Sequence, residues 1–365
     1  MSKPPKRFAR FLRAARLLFL FGRVGLLVIF AAGLWLRLSY RDSWDYPWAT
    51  FHYLTPYSLL AGLTLPEFVL QIVARRRVGI LVLSACVLIP AALWLHSGLR
   101  FRSAPPVEGE GAIRTVFWNA DHFDFQGIPE AAEKLREFDA DLLFLTEGIV
   151  DYGTQKRVFP AIFPDHEMLF LAEGRLALLK NGKILRRHYS FVGKHRQGTL
   201  LQLLIECKGR RFVLGIFDHR SDIDLSRRLA LHKLIPVIDH YAGLDIPFLL
   251  LGDFNTPADS VHLEAVWSRM TNAFDVAGTG FRGTWPMPLP VLALDQVWTS
   301  EGVTPLRCVH RNLGWSRHQA VVVDVAVTSE MDPAHLGFPA RYVTPAIPPR
   351  RYHHRAGAWQ KRWQR

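Results

Sequence analysis

From Leu17 to Leu36 the chain is apolar except for Arg23, and a run of about 20 such residues is long enough to cross a bilayer as one helix. This is the tightest constraint on the fold, because the first part of the chain belongs in a membrane and a water-exposed core must be built from the remainder. Lys3, Lys6, Arg7, Arg10, Arg13 and Arg16 precede the run with no acid among them. A secretory signal starts the same way, but no small-x-small cleavage pattern comes after it; the chain reads Arg37-Leu38-Ser39-Tyr40-Arg41. Arg23, near one end of the run, is expected to snorkel. Tyr53 to Ala74 is a second candidate span, interrupted by Pro56, Pro66 and Glu67, and Glu67 requires another helix or the interface as its neighbour. Val78 to Leu95, with Pro90 inside it, is a third.

The expected anchor is therefore residues 1–103, with spans at about 17–37, 53–74 and 78–95. Two crossings remain if the middle segment lies flat. Basic residues cluster before the first span and again at Arg75-Arg76-Arg77. Placing both clusters on the cytoplasmic side puts everything after about residue 97 on the far side. In a bacterium this is an inner-membrane, multi-pass protein whose soluble part faces the periplasm or the exterior. Arg100 and Arg102 run against that orientation.

Residues 104–111, with prolines and alternating glutamates, read as a linker, and 112–328 alternates short apolar runs with helical stretches. Strands are expected at 113–118, 140–145, 176–179, 200–207, 212–217, 249–253, within 291–299 and at 320–327. A helix is expected from Pro129 to Phe138, and another from Asp224 to Tyr241 with a kink at Pro236. The hairpin-like spacing of several strands favours a two-sheet α/β sandwich over a doubly wound sheet, and no Gly-rich phosphate loop is present. Cys86, Cys207 and Cys308 have no metal-ligand spacing; a Cys207–Cys308 disulfide is allowed by count and not demanded.

Four apolar runs end in a polar or ionisable residue: Asn119, Glu147, His219 and Asp253. Strand ends are where a rigid sheet positions reactive groups while loops give access. The run Leu249-Leu250-Leu251 delivers Gly252-Asp253-Phe254-Asn255 just before Thr256-Pro257. Side chains two apart on an extended backbone point the same way, so Asp253 and Asn255 can address one site; a plain Asx-turn closing the strand is the alternative. A net charge of +13 fits an anionic partner, whether polynucleotide, phospholipid or anionic leaflet, with part of that charge belonging to the membrane flank.

The ordered set Asn119, Glu147, His219, Gly252-Asp253-Phe254-Asn255, Leu294-Asp295 and Ser316-Arg317-His318 resembles the endonuclease/exonuclease/phosphatase, or deoxyribonuclease-I-like, superfamily of metal-dependent phosphoesterases. The resemblance spans about residues 112–327 and implies a deoxyribonuclease-I-like sandwich. It implies that Asn119 and Glu147 hold a Mg²⁺ region, with Mn²⁺ as an alternative cation. Asp253 would position or deprotonate water, and Asn255 would bind phosphate. Asp295 would orient His318 against the scissile phosphate, with His219 as a further phosphate-side group. The implied substrate is a phosphate ester, of nucleic acid or phospholipid, with membrane lipids as neighbours. The N-terminal spans resemble those of membrane-anchored bacterial members. One position departs: the usual closing motif is Ser-Asp-His, and Arg317 stands where the carboxylate would be. Arg317 is then a phosphate contact in a working enzyme, or the mark of a catalytically impaired binding protein.

Arg175 is a second candidate phosphate contact, and Trp285 and Trp315 either rim the cleft or pack. His122, His166, His188, His195 and His232 show no ligand spacing. The tail 329–365, Pro-rich and basic from Arg341 onward, carries Trp359 and Trp363 and reads as disordered, solvated or touching an anionic surface.

Overall fold

The computed structural model describes residues 6–102, 111–121, 127–148, 152–171, 174–192 and 197–328. The tail, most of the linker, His122 and His195 lie outside the described residues. The apolar first hundred residues form α1 (Lys6–Ser39), α2 (Trp48–Leu54), α3 (Tyr57–Val73) and α4 (Arg77–Gly98). Two segments, Leu17–Ser39 and Arg77–Gly98, are long and apolar enough to cross a membrane. Outward side chains such as Leu18, Phe21 and Leu81 are exposed, as a lipid-facing surface requires.

The segment read as a span from 53 to 74 is a bent pair of helices, which makes a third crossing if the pair counts as one span. α2 and α3 meet at 66° across Thr55-Pro56, because Pro56 has no N–H to donate and pushes Thr55 out of the helical region. Arg37, buried at the end of α1, meets the carbonyls released there: it donates to His52 O at 2.9 Å and to Thr55 O. Arg23, expected to snorkel, is paired with another helix. Its Nε donates to Glu67 Oε2 at 2.6 Å, and Gln71 Nε2 reaches the same carboxylate at 2.5 Å. Pairing two opposite charges between helices costs less than leaving each in hydrocarbon.

The rest of the chain runs β1 (Leu99–Arg100), β2 (Ile113–Asn119), α5 (Ile128–Arg136), β3 (Leu142–Thr146), α6 (Tyr152–Ile162), β4 (His166–Phe170), β5 (Leu176–Lys180), β6 (Gly182–Val192), β7 (Gly198–Cys207) and β8 (Arg210–His219). It continues with α7 (Arg227–Leu231), α8 (Ile235–Ala242), β9 (Phe248–Asp253), α9 (Glu264–Trp267), β10 (Thr271–Asn272), α10 (Ala273–Ala277), β11 (Gly280–Phe281), β12 (Asp295–Thr299), β13 (Val303–Arg311) and β14 (Ala320–Val327). Two six-stranded sheets form among the described residues, in the orders β10-β12-β9-β8-β7-β6 and β13-β14-β2-β3-β5-β4.

Strand alternation sends Leu203, Leu214 and Leu251 of the first sheet and Phe117, Phe144 and Val323 of the second into one shared core. The opposite faces are covered by helices. Tyr241 and Ile238 of α8 pack on Val213 and Leu250, and Leu135 of α5 with Phe159 of α6 packs on Val116 and Leu143. This is the α/β sandwich expected from the sequence, with the apolar helices ahead of it. The single kinked helix expected over 224–241 is two helices, since Pro236 lies in the first turn of α8 and opens it. β4, β6 and β13 were not expected; β6 exposes Lys183, Arg186 and Arg187, which hides its alternation. Cys207 and Cys308 are buried free thiols.

The two halves of the chain are tied at the loop after β9. Asp42, fully buried between α1 and α2, accepts from Ser260 Oγ at 2.5 Å, Val261 N at 2.9 Å and Tyr53 OH at 2.7 Å. Arg37 Nη1 reaches Asp259 Oδ2 at 2.7 Å, and β1 pairs with β11. Asp42→Ala leaves three donors without their acceptor. It should lower stability by about 2–4 kcal/mol, read by chemical denaturation of the full chain in detergent, whereas Asp42→Asn should lose less because it keeps one acceptor oxygen.

Candidate active site

Strand register assembles the site. β9 and β12 pair antiparallel with Asp253 directly opposite Asp295, and β8 pairs parallel to β9 with Asp218 opposite Asp253. From the second sheet, β2 and β3 run parallel and set Asn119 beside Thr146, the residue before Glu147. His318 arrives on the turn ahead of β14. That turn is pinned from both sides: Ser316 Oγ donates to Asn119 O at 2.7 Å and accepts from His318 N at 2.9 Å.

His318 Nδ1 lies 2.8 Å from Asp295 Oδ2, and both side chains are buried. Burial opposes a charge on His318, but the charge of Asp295, its hydrogen bond and the charge of Asp253 outweigh it and raise the ring to about 9. At neutral pH it is therefore an imidazolium with Nδ1–H directed at Asp295.

Asp253 is fully buried. Its Oδ2 accepts from Asn119 Nδ2 at 2.8 Å and Asn255 Nδ2 at 3.0 Å, and its Oδ1 from Asn255 N at 2.8 Å. Burial, and then Asp295, hold its carboxyl well above the usual range despite His318 and the Asn255 N–H. The two-residue alternation expected to aim Asp253 and Asn255 together is not what does so. Asn255 sits at φ +44°, and its side chain folds back onto Asp253 and onto His219 O at 2.6 Å. The Asx-turn and the site are one structure.

Asp253, Asp295 and His318 bring two carboxylates and a ring nitrogen within 4.8 Å of one another; as an imidazolium His318 has no lone pair for a cation, so the carboxylate oxygens are what a metal ion would meet there. Asp295 Oδ1 is buried without a hydrogen-bond partner, an orphaned acceptor of the kind a cation satisfies. The group expected at the metal was instead Asn119 and Glu147. Glu147 lines the same cavity. Asn119 accepts from Asp121 N at 2.9 Å with its carbonyl oxygen and gives its amide to Asp253, so it also positions Asp253.

Arg317 is bound bidentately by Asp121, Nε to Oδ2 at 2.5 Å and Nη2 to Oδ1 at 2.8 Å. Burial would raise the Asp121 carboxyl, but the hydrogen bonds and charge of Arg317 prevail and hold it below its ordinary value. Sequence reasoning passed over Asp121, although it is the acid two residues after the strand-end Asn119. His219 is buried, with Nδ1 2.7 Å from Arg220 O. A carbonyl only accepts, so Nδ1 carries the proton and Nε2 is a bare acceptor, buried without a partner. Burial first, and then the charge of Arg227, lower His219 to about 3, so the ring is neutral. It stands behind Asn255 rather than in the cavity wall.

Arg175, expected at a phosphate, is buried on Asp218 with Nη2–Oδ2 at 2.5 Å. Trp285 lines the cavity, whereas Trp315 packs under Lys134 at 4.6 Å. His166, His188 and His232 join no metal-spaced group among the described residues. The cavity has a volume of about 930 Å³. Asn119, Asp121, Glu147, Asp253, Asn255 and His318 line one part of it, and residues of the anchor line another.

Arg317→Ala should release the Asp121 carboxylate toward the cavity and tighten Mn²⁺ binding by roughly tenfold. Paramagnetic titration of the full chain checks this; unchanged affinity would show that Asp121 lies outside the reach of a cation.

No curated protein matches the chain. Solved structures similar to it include the endonuclease/exonuclease/phosphatase from Bacteroides vulgatus, at 15% identity over 59% of this chain and 99% of that one, with a TM-score of 0.49. The human Nocturnin catalytic domain with bound sulfate anion gives 17% over 60% and 95%, with a TM-score of 0.49. Mannosyl-6-phosphatase from Bacteroides thetaiotaomicron gives 13% over 59% and 99%, with a TM-score of 0.46. The profile of the Endonuclease/Exonuclease/phosphatase family matches residues 116–318, more than half of the sequence and from within β2 to His318, and the chain belongs to that family.

Proposed function

We propose that this chain is a membrane-anchored bacterial phosphoesterase that needs a divalent cation and cleaves a phosphodiester, of nucleic acid or phospholipid, by water attack at phosphorus. The observation that carries the reading is the convergence of Asp253, Asp295 and His318 within 4.8 Å on the strand ends of a family sandwich. Residues 112–328 form the catalytic unit and 1–103 the anchor in this reading.

Asp253 is the base. Burial and the neighbouring Asp295 raise its carboxyl, which makes it a stronger base than an ordinary carboxylate, and Asn119 and Asn255 fix its orientation. Two donors fall on Oδ2 and one on Oδ1, which leaves a lone pair of Oδ1 for the attacking water. His318 is the cationic donor. With Nδ1–H committed to Asp295, its Nε2–H serves a phosphoryl oxygen or the leaving oxygen. Asn255 shapes the phosphate side, with His219 holding it from behind through its carbonyl. Mg²⁺, or Mn²⁺, suits the carboxylate oxygens of Asp295 and Glu147 and would supply positive charge against the phosphoryl oxygens. A second reading, a binding protein with impaired catalysis, draws on the Arg317–Asp121 pair at the position of the family carboxylate.

The full chain in detergent should hydrolyse bis-p-nitrophenyl phosphate with Mg²⁺ or Mn²⁺ and stop on addition of EDTA. His318→Ala should lower the rate on the order of 10²–10⁴-fold. Asp295→Asn should also lower it, and the double variant should be little worse than His318→Ala, since the two side chains act as one unit. Tight anion binding with no turnover under any divalent cation would favour the second reading.

The distribution of Lys and Arg supports a catalytic unit outside the cytoplasm. Alkaline phosphatase fused after Ser103 should be active and a cytosolic reporter at the same point silent; the reverse would invert the orientation.

A further inference from the structure

We propose that the substrate is a phospholipid of the bilayer, with its acyl portion lying in the apolar part of the cavity and its phosphodiester at Asp253 and His318. The placement of the phosphodiester rests on the phosphoesterase reading; the placement of the acyl chains rests on the cavity alone.

The polar groups of the candidate site occupy only part of that cavity. Leu54, Pro56 and Leu59, from the break between α2 and α3, line it with Trp94 of α4, and Ile223 and Leu289 face it from loops of the sandwich. The anchor residues belong to one end of the helix bundle. Arg37 near the end of α1 bonds the Thr55 carbonyl at the break, and Trp94 near the end of α4 stacks edge-on against Phe281 at 5.3 Å. The cavity thus sits where the two segments able to cross a membrane run into the sandwich; in a bilayer that these segments span, that end of the bundle would lie toward the headgroups. Leu59, Leu289 and Ile223 are 45%, 75% and 57% exposed. Large apolar side chains gathered beside a polar site and left to water mark a surface that something apolar covers.

Charge argues against a polynucleotide as the occupant. A strand needs a track of cations along successive phosphates. Among the described residues, the arginines lining the cavity are Arg227 and Arg317. Arg227 is committed to the carbonyls of Arg220 at 3.1 Å and Ser221 at 3.4 Å, and Arg317 to Asp121. His318 together with a cation on the carboxylates suits one phosphate. A volume of about 930 Å³ leaves room beyond that phosphate for part of two chains.

The test uses the full chain in detergent and a phosphatidylglycerol carrying a photoactivatable diazirine in its acyl chain. Crosslinks mapped by mass spectrometry should fall within residues 53–59 and 286–292. Leu289→Asp and Ile223→Asp, both at exposed positions, should reduce those crosslinks. They should also lower the ratio of long-chain phosphatidylglycerol turnover to bis-p-nitrophenyl phosphate turnover by about tenfold. Crosslinks confined to the outer faces of α1 and α4 would overturn the proposal. So would hydrolysis of deacylated glycerophosphoglycerol, or of a single-stranded oligonucleotide, as fast as that of the long-chain lipid. If crosslinks map to the cavity while bis-p-nitrophenyl phosphate stays intact with every divalent cation, the lipid site stands and the phosphoesterase reading fails.

Discussion

A Cβ added at Gly252 would lie 1.7 Å from the carbonyl oxygen of Phe217, and the residue holds φ at +148°, a combination open to glycine alone. That contact sets how closely the end of β9 approaches β8. Asp253 comes immediately after, so its distance from Asp295 across the sheet and from Asn119 in the facing sheet depends on this one bare backbone position. The hydrogen bonds that hold the Asp253 carboxylate come from both sheets, Asn119 on one side and Asn255 on the other. The site is therefore also a staple between the layers, and its rigidity is inherited from the core of the sandwich rather than from its loops.

The second tie runs to the membrane half. The turn after Asp253 and Asn255 continues into Asp259, Ser260 and Val261, which Arg37 and Asp42 grip from the ends of the helices. The anchor thus contributes a wall of the cavity and holds the loop leaving the central strand. A tether alone would need none of these buried polar contacts, each of which costs desolvation unless its geometry is met. Their presence couples the orientation of the bundle to the geometry around Asp253.

The sequence made the sandwich and most of the site legible because both are written as local pattern. Apolar runs of strand length, each ending in a reactive residue, carry their own register signal. What escaped was non-local. Asp121 as the partner of Arg317, and Glu67 as the partner of Arg23, are joined only by the fold. Arg175 looked available for phosphate because nothing in its neighbourhood in sequence reveals Asp218 beneath it. Pro236 was legible as a break but not as a helix start, since a proline satisfies either role and the preceding turn decides. The half-exposed β6 shows charge where alternation was sought.

Net charge, the most conspicuous sequence property, says least about the site. A surplus of +13 suggested a basic surface for a polyanion, yet buried or half-buried arginines are paired internally with Asp259, Asp218, Asp324 and Asp275, and the exposed Arg317 is paired with Asp121. Around the cavity Asp121, Glu147, Asp253 and Asp295 stand against Arg227, Arg317 and His318. With every carboxylate ionised the balance there is no better than neutral. A phosphodiester brought into such a place adds a negative charge that the imidazolium of His318 is placed to meet. The favourable entry is one in which a divalent cation arrives with the phosphate. The same arrangement disfavours a strand of many phosphates and tolerates a molecule that carries one.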